Sequence, residues 1–306
     1  VEMGVKGLYS LIKKSGQHVD IRSLNGKRIG IDISYFMYRW GTDNIIRYLD
    51  FINLLWSNNN KVLLVFDGKP GQYKVPEVER RKVVAESAEK YAASLQESLT
   101  NSDLTSQQKM IIEAAISINL KKAARPTKEK RQRLKKVFYE QLIPMLKSTE
   151  EADELLVALN KEGDIDIVIS GDTDLLRLGV KCLWVPKDED GYEYTELEYD
   201  KVIQSLTLTE DQFQDMCILT GSAPQINMNT RLDIRKAWSY IRLYGTVDRV
   251  ARKHNKIFMG GQASLKETLF EVKNSIYLNS VSQWLREDEA DRLEAWRNGL
   301  QMPYKY

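Results

Sequence analysis

Six acidic residues of this chain have types and spacing suited to hydrolysing a phosphodiester. Asp32 ends the run RIGID, Asp67 follows LLVF, Glu151 and Asp153 stand two apart in TEEADELL, and Asp172 and Asp174 two apart in SGDTDLL. That reaction needs a nucleophilic water and a neutralised leaving oxygen, which paired divalent ions roughly 3.5–4 Å apart can supply. Magnesium keeps several waters and takes one or two carboxylates, so two ions call for about four to seven carboxylates from different segments. Two cysteines (Cys182, Cys217) and two histidines (His18, His254) give no zinc set. The donors are hard oxygens, which suit two Mg²⁺ or Mn²⁺ ions. Each pair has a bland reading: first-turn helix acids behind a Ser148 or Thr149 cap, or an acidic turn at GDTD. Three post-strand sites together with a helix start point to chemistry.

The elements that must carry these acids follow from apolar patterning. RIGIDI (28–33), VLLVF (62–66), DIVIS (166–170) and CLWV (182–185) are too short and β-branched for buried helices. Between the first two, YFMYRWGTDNIIRYLDFINLLW follows helical spacing, which makes a βαβ unit. A mostly parallel sheet flanked by helices is expected, an α/β fold with its site beyond the carboxyl ends of the strands. Four of the acids fall there. Residues 76–146 break the alternation with a long charged helix, a linker at TNSDLTSQQ and a second helical stretch running to LIPML. Within 121–136, nine Lys or Arg, among them Lys128, Lys130 and Arg131, face Glu129 alone. Such a run repels itself unless a polyanion is near. From about 196 the chain reads as helical, with two short helices expected in 228–246 around a turn carrying Arg231, Arg235 and Lys236. The expected division is 3–75 and 147–220 for the core, 76–146 for an insertion and 221–306 for a helical end.

At 306 residues, 42% hydrophobic and 29% charged, the chain has the composition of a soluble globular protein. Its net charge of +2 implies no partner by itself. Two cysteines form no disulfide framework, and no apolar run approaches the roughly 18 residues of a membrane span. An intracellular monomer without signal peptide or membrane contact is expected, with Val1-Glu2 an extension ahead of Met3-Gly4.

MGVKGLYSLI, IGIDISYFMYRW, LLVFDGKP, the Glu-Ala-Asp step at 151–153, SGDTDLLRLG and EDQFQDMCILTGS together resemble the flap endonuclease/XPG (Rad2) family of structure-specific 5′ nucleases, in its order. The resemblance covers roughly 3–245. It implies a PIN-like nuclease core, a helical arch and a helical duplex-binding part near 220–246. It further implies that Asp32, Asp67, Glu151, Asp153, Asp172 and Asp174 hold the metals, with Lys74 and Arg81 as arch-base cations at the scissile phosphate. Tyr38, by its own pattern a core helix tyrosine, resembles the aromatic that stacks on a base near the cut. Gly4 resembles the glycine that approaches the substrate. The implied substrate is branched or flapped DNA with a 5′ end, in replication and repair within a nucleus or a viral or phage replication compartment. RNA cleavage by the same fold and non-catalytic nucleic-acid binding are the alternatives.

Three departures accompany the resemblance. Ala223 in CILTGSAP stands where the family carries a seventh carboxylate, so an Asp→Ala replacement is the favoured reading. Weakened binding of the second ion, slowed hydrolysis and intact substrate binding are expected from it. Arg231 and Asp233 occupy positions of turn glycines. No sliding-clamp motif closes the chain at WRNGLQMPYKY.

Overall fold

A computed structural model describes residues 4–71, 75–100, 104–123, 126–223, 226, 228–254, 257–258, 262–277, 280–300 and 302. Among them a seven-stranded sheet is built from β1 (Gln17–Asp20), β2 (Arg28–Asp32), β3 (Lys61–Phe66), β4 (Met145–Lys147), β5 (Ile167–Ile169), β6 (Cys182–Pro186) and β7 (Glu193–Glu198). Its order is β1-β7-β6-β5-β2-β3-β4. The five strands from β6 to β4 run parallel, while β7 and β1 are antiparallel additions at one edge. The mostly parallel α/β reading therefore holds, with β2 central among the five parallel strands.

Parallel strands need crossovers, and these place apolar helices on both faces. One face packs helices Ile33–Trp40, Ile45–Ser57 and Lys128–Glu140 over Ile29, Ile31, Leu64 and Phe66. The other packs helix Ala152–Glu162 and the C-terminal helices over Leu63, Val65 and Val168. Among the described residues, no helix is long and apolar enough to cross a membrane.

Four sequence expectations are corrected. LIPML is not the end of a helix: Ile143 and Met145 are buried and β4 pairs with β3, because the edge of the sheet takes the apolar run. Residues 196–198 belong to β7, whose partner β6 supplies the ladder that helical propensity cannot match. The charged stretch Lys128–Glu140, expected within the 76–146 insertion, packs on the core. It buries Leu134 and Phe138, and Phe138 meets the rings of Tyr48 and Phe66 at 5.7 and 6.3 Å. Finally, residues 228–246 hold one helix, Ile234–Tyr244, preceded by extended chain that bridges Met228 to Phe258. By contrast, helices Val75–Ser98 and Ser106–Ala123 pack principally against each other as a hairpin, consistent with an arch-like insertion.

The C-terminal helix Glu287–Arg297 closes the β4 edge. Glu289, buried, accepts the Lys147 amide at 3.0 Å and holds Arg292 at 2.7 Å. Lys135 is drawn into the same cluster, its ammonium 4.2 Å from the centre of the Phe66 ring. Burial, then the neighbouring Lys147 charge, push its pKa down from the usual 10.5 to about 8. Between pH 8 and 10.5 the unfolded chain then binds more protons than the folded one, so stability rises with pH across that window. Lys135→Met is expected to be more stable than the parent at pH 7 and to lack this rise. Urea denaturation at pH 7 and pH 9.5 reads both, and equal pH dependence in the two proteins would refute the assignment.

Candidate active site

The parallel order places the carboxyl ends of β5, β2, β3 and β4 side by side, and all six acids stand at or just beyond them. Asp32 closes β2 and caps helix Ile33–Trp40, one oxygen accepting the Tyr35 amide at 3.1 Å. Its other oxygen accepts the Ser170 hydroxyl at 2.8 Å, and Ser170 in turn accepts the Asp172 amide at 3.0 Å. One fully buried hydroxyl thus ties the end of β2 to the loop after β5.

Beyond β3, the loop at 67–69 is laced to the loop beyond β4: the Gly68 amide donates to the Glu150 carbonyl and the Lys69 amide to Thr149 at 3.1 Å. Asp67 then accepts the Ala152 amide at 3.0 Å, filling a vacant donor position at the start of helix Ala152–Glu162. The expected Ser148 or Thr149 cap is corrected by this bond. Glu151 is the N-cap residue, yet its side chain makes no capping bond. Glu151 and Asp153 lie half-buried at the positive end of that helix.

Beyond β5, Asp172 accepts the Asp174 amide at 2.9 Å, starting the short turn Asp174–Arg177. Gly4, at φ +83°, lies against this loop: a Cβ there would come within 2.6 Å of the Thr173 and Asp174 nitrogens and would strike the Asp172 carboxylate. Gly4 therefore packs on the acidic loop itself.

Crowding these acids has an electrostatic signature. Burial, and then the Asp67 charge, push the Asp32 carboxyl well above the usual carboxylate range. One oxygen of Asp174 is buried without a hydrogen-bond donor, with Arg177 Nε 3.7 Å away. Among the described residues no three of the acids converge on one point. Cations that keep most of their water take only one or two carboxylates each. Mutually repelling, all-oxygen donors with an unsatisfied buried oxygen fit Mg²⁺ or Mn²⁺, and the six acids are the residues that could hold them.

The other candidates are distributed around this edge. Tyr38 is 48% exposed on helix Ile33–Trp40, which corrects the reading of a core tyrosine: neighbouring Phe36 and Met37 take the buried face. Arg81 is exposed on the hairpin helix Val75–Ser98, and Lys74 lies outside the described residues. Lys130 pairs with Asp43 at 3.0 Å and Arg131 bonds the Pro126 carbonyl, while Lys128 starts its helix in the open. Arg231, Arg235 and Lys236 are exposed around the start of helix Ile234–Tyr244. Ala223 is 2% exposed in the apolar core and contributes no oxygen beyond its carbonyl, which accepts the Ile226 amide at 3.0 Å.

Two contributors carried no signal in the sequence as read. Tyr35 lays its ring on Gly171, where an added Cβ would come within 2.5 Å of the phenol oxygen. Arg39 donates to that oxygen at 2.8 Å and to the Asp188 carbonyl. A tyrosine in a helix beside an acid looks like a core residue; only the fold shows that it supports the 170–174 loop.

Residues 3–88 match the XPG N-terminal domain and residues 142–223 the XPG I-region. Curated relatives include proteins named flap endonuclease 1 from Lodderomyces elongisporus, 27% identical over 72% of this chain, and from Xiphophorus maculatus, 26% over 81%. The chain spans 60% and 68% of the length of these relatives. Among solved structures, the catalytic core of Rad2 superposes with a TM-score of 0.59 at 14% identity, covering 99% of this chain and 90% of the other. Flap endonuclease-1 from Methanococcus jannaschii gives 0.56 at 18%, covering 87% and 84%, which places the same fold here.

The tight fit of Tyr35 on Gly171 yields a double-mutant test. Gly171→Ala is expected to destabilise the protein by about 1–3 kcal/mol, as overpacking does. Tyr35→Leu should relieve that clash, so the double variant is expected to be more stable than the two single losses added together. Additive losses in urea denaturation would show that the ring does not set the loop.

Proposed function

The chain belongs to the XPG/flap endonuclease family of structure-specific nucleases, and from that premise we propose that it is a divalent-metal-dependent DNA nuclease cutting near single-strand/duplex junctions such as 5′ flaps. The observation that carries this reading is the set of carboxylates at four adjacent strand ends, among which burial and then the Asp67 charge make Asp32 costly to ionise. Solved neighbours support the substrate class, since one is the Rad2 catalytic core in complex with DNA substrate and another human GEN1 in complex with Holliday junction DNA.

Two bound Mg²⁺ or Mn²⁺ ions would supply an activated water and neutralise charge on the phosphoryl group. The residues of the chain perform the remaining work. Asp32, Asp67, Glu151, Asp153, Asp172 and Asp174 would hold the cations, and three of them are pre-set by backbone amides or by Ser170, so little reorganisation would accompany binding. Arg81, with Lys74 seven positions earlier in sequence, offers positive charge to the phosphate from the hairpin. Tyr38 presents an exposed ring for a base unstacked at the junction. Exposed cations at 231–236 meet backbone phosphates, which position the duplex without reading its sequence.

Ala223 limits turnover in this scheme. A carboxylate in its place would sit in a site 2% exposed, costly without a cation and favourable with one. Ala223→Asp is therefore expected to lower the melting temperature in EDTA, to gain more stability from Mg²⁺ than the parent does, and to cleave faster. Equal Mg²⁺ stabilisation of the two proteins would remove position 223 from the metal site.

Labelled 5′-flap, nicked and overhang substrates, in DNA and RNA versions, test the function directly. Mg²⁺-dependent cutting of the DNA flap by the Ala223→Asp protein, lost by at least 100-fold in Asp172→Asn, is the expected result. Cutting of RNA alone would reassign the substrate, and no cutting of any substrate would overturn the nuclease reading.

A further inference from the structure

Asp174 and Arg177 stand one turn apart in the short turn that leaves the acidic loop. Their side chains are 20% and 12% exposed, so solvent and salt screen the pair little. Arg177 Nε lies 3.7 Å from one Asp174 oxygen, within ion-pair range but too far for a hydrogen bond. Both atoms are shielded from water, and neither has a hydrogen-bond partner. The guanidinium thus compensates that oxygen by charge alone.

Other arginines of this molecule close such a gap. Arg297 donates to Asp164 at 2.7 and 2.6 Å, and Arg28 donates to Asp166 at 2.6 Å, the short forked geometry that makes an arginine–carboxylate pair strong. The Asp174 pair is more buried than these and less bonded, a poor arrangement for a contact that serves stability alone. Its surroundings keep the charge in place. The turn packs against helix Glu210–Leu219, where burial pushes the Cys217 thiol up, the Arg177 charge lowers it and the Asp174 charge raises it. That helix leads on to Ala223, which supplies no carboxylate. A divalent ion arriving at Asp174 would therefore meet a positive charge already seated there, and like charges a few ångströms apart in a half-buried setting repel strongly.

We propose that Arg177 is a positioning residue that steadies Asp174 while no cation is bound and competes with a divalent ion for its carboxylate. The proposal rests on the metal-dependent nuclease reading given above and deepens it. The missing hydrogen bond is what makes the exchange possible, because Arg177 leaves Asp174 without breaking one. The competition weakens the ion that needs Asp174 and spares an ion held by the acids at the ends of β2 and β3.

Mn²⁺ binding to the full chain without nucleic acid, followed by loss of the EPR signal of the free aquo ion, tests this without any turnover. The parent is expected to show a tighter and a weaker step. Arg177→Met keeps the apolar stem and removes the charge, so the weaker step should tighten roughly tenfold while the tighter one moves by less than about twofold. Arg177→Lys keeps the charge and should behave as the parent does. Lys27→Gln, just before β2 at the opposite end of the sheet, removes a cation elsewhere and should change neither step. In EDTA the Arg177→Met protein should melt at a lower temperature than the parent, and Mn²⁺ should raise its melting temperature by more. In an Asp174→Asn background Arg177→Met should no longer alter Mn²⁺ binding, since the competition needs the carboxylate. Should Arg177→Met not fold, Arg177→Gln carries the same expectations. A purely structural ion pair requires unchanged or weaker Mn²⁺ binding when the charge is removed, and either result would overturn the proposal. Parent and variants alike binding no Mn²⁺ would instead overturn the metal-dependent reading, and the role of Arg177 with it.

Discussion

Ser170 donates one hydrogen bond to Asp32 and accepts another from the Asp172 amide, and its burial in that bridge locates the central constraint of the molecule. Carboxylates gathered at one end of a sheet repel each other, and burial adds the cost of lost solvation. The fold offsets this locally. Helix beginnings face the acids: Asp32 caps one helix, Asp67 fills the start of another, and Asp174 opens a short turn on an amide that Asp172 accepts. What remains uncompensated, the raised Asp32 and the donorless oxygen of Asp174, is what a cation would complete.

This constraint explains features that look unrelated in the linear chain. Gly4 and Gly171 lie against the 170–174 loop, one through the N-terminal segment and the other under Tyr35. Both are places where a side chain would push an acid out of line. The Arg39 bond to Tyr35 carries the same support outward to Asp188, in the turn between β6 and β7. On the other side of the sheet, Glu289 secures β4, whose following loop is laced to the one bearing Asp67. The C-terminal helices are thus part of what holds the site, although the sequence resemblance to the family fades beyond about residue 245.

The basic residues separate into two kinds. Arg131 is occupied by a backbone carbonyl, Lys130 pairs with Asp43, and Lys135 is folded against Phe66. Of the positive run between 121 and 136, Arg131 and Lys135 pack partly against the protein, while Lys128, Lys130, Arg133 and Lys136 stay exposed. Arg231, Arg235, Lys236 and Lys253 stay exposed at the helical end. Density of charge in the sequence was a poor guide to which cations pack against the protein.

The chain by itself determined the sheet and the acids. β-branched runs ending in Asp, separated by helical spacing, leave a parallel sheet as the economical way to bury both faces, and the acids then fall at its carboxyl edge. Short strands with weak local patterns were not legible. β4 lies in LIPML and β7 in the run that continues into helix Tyr199–Leu206, and both owe their form to an adjacent strand. The same holds for Tyr35 and Ser170. Hydrogen bonds and ring stacking between residues far apart in sequence depend on three-dimensional register, which local propensity does not encode. Only the tertiary structure decided which acid rests on which amide, and why that edge can hold so much negative charge.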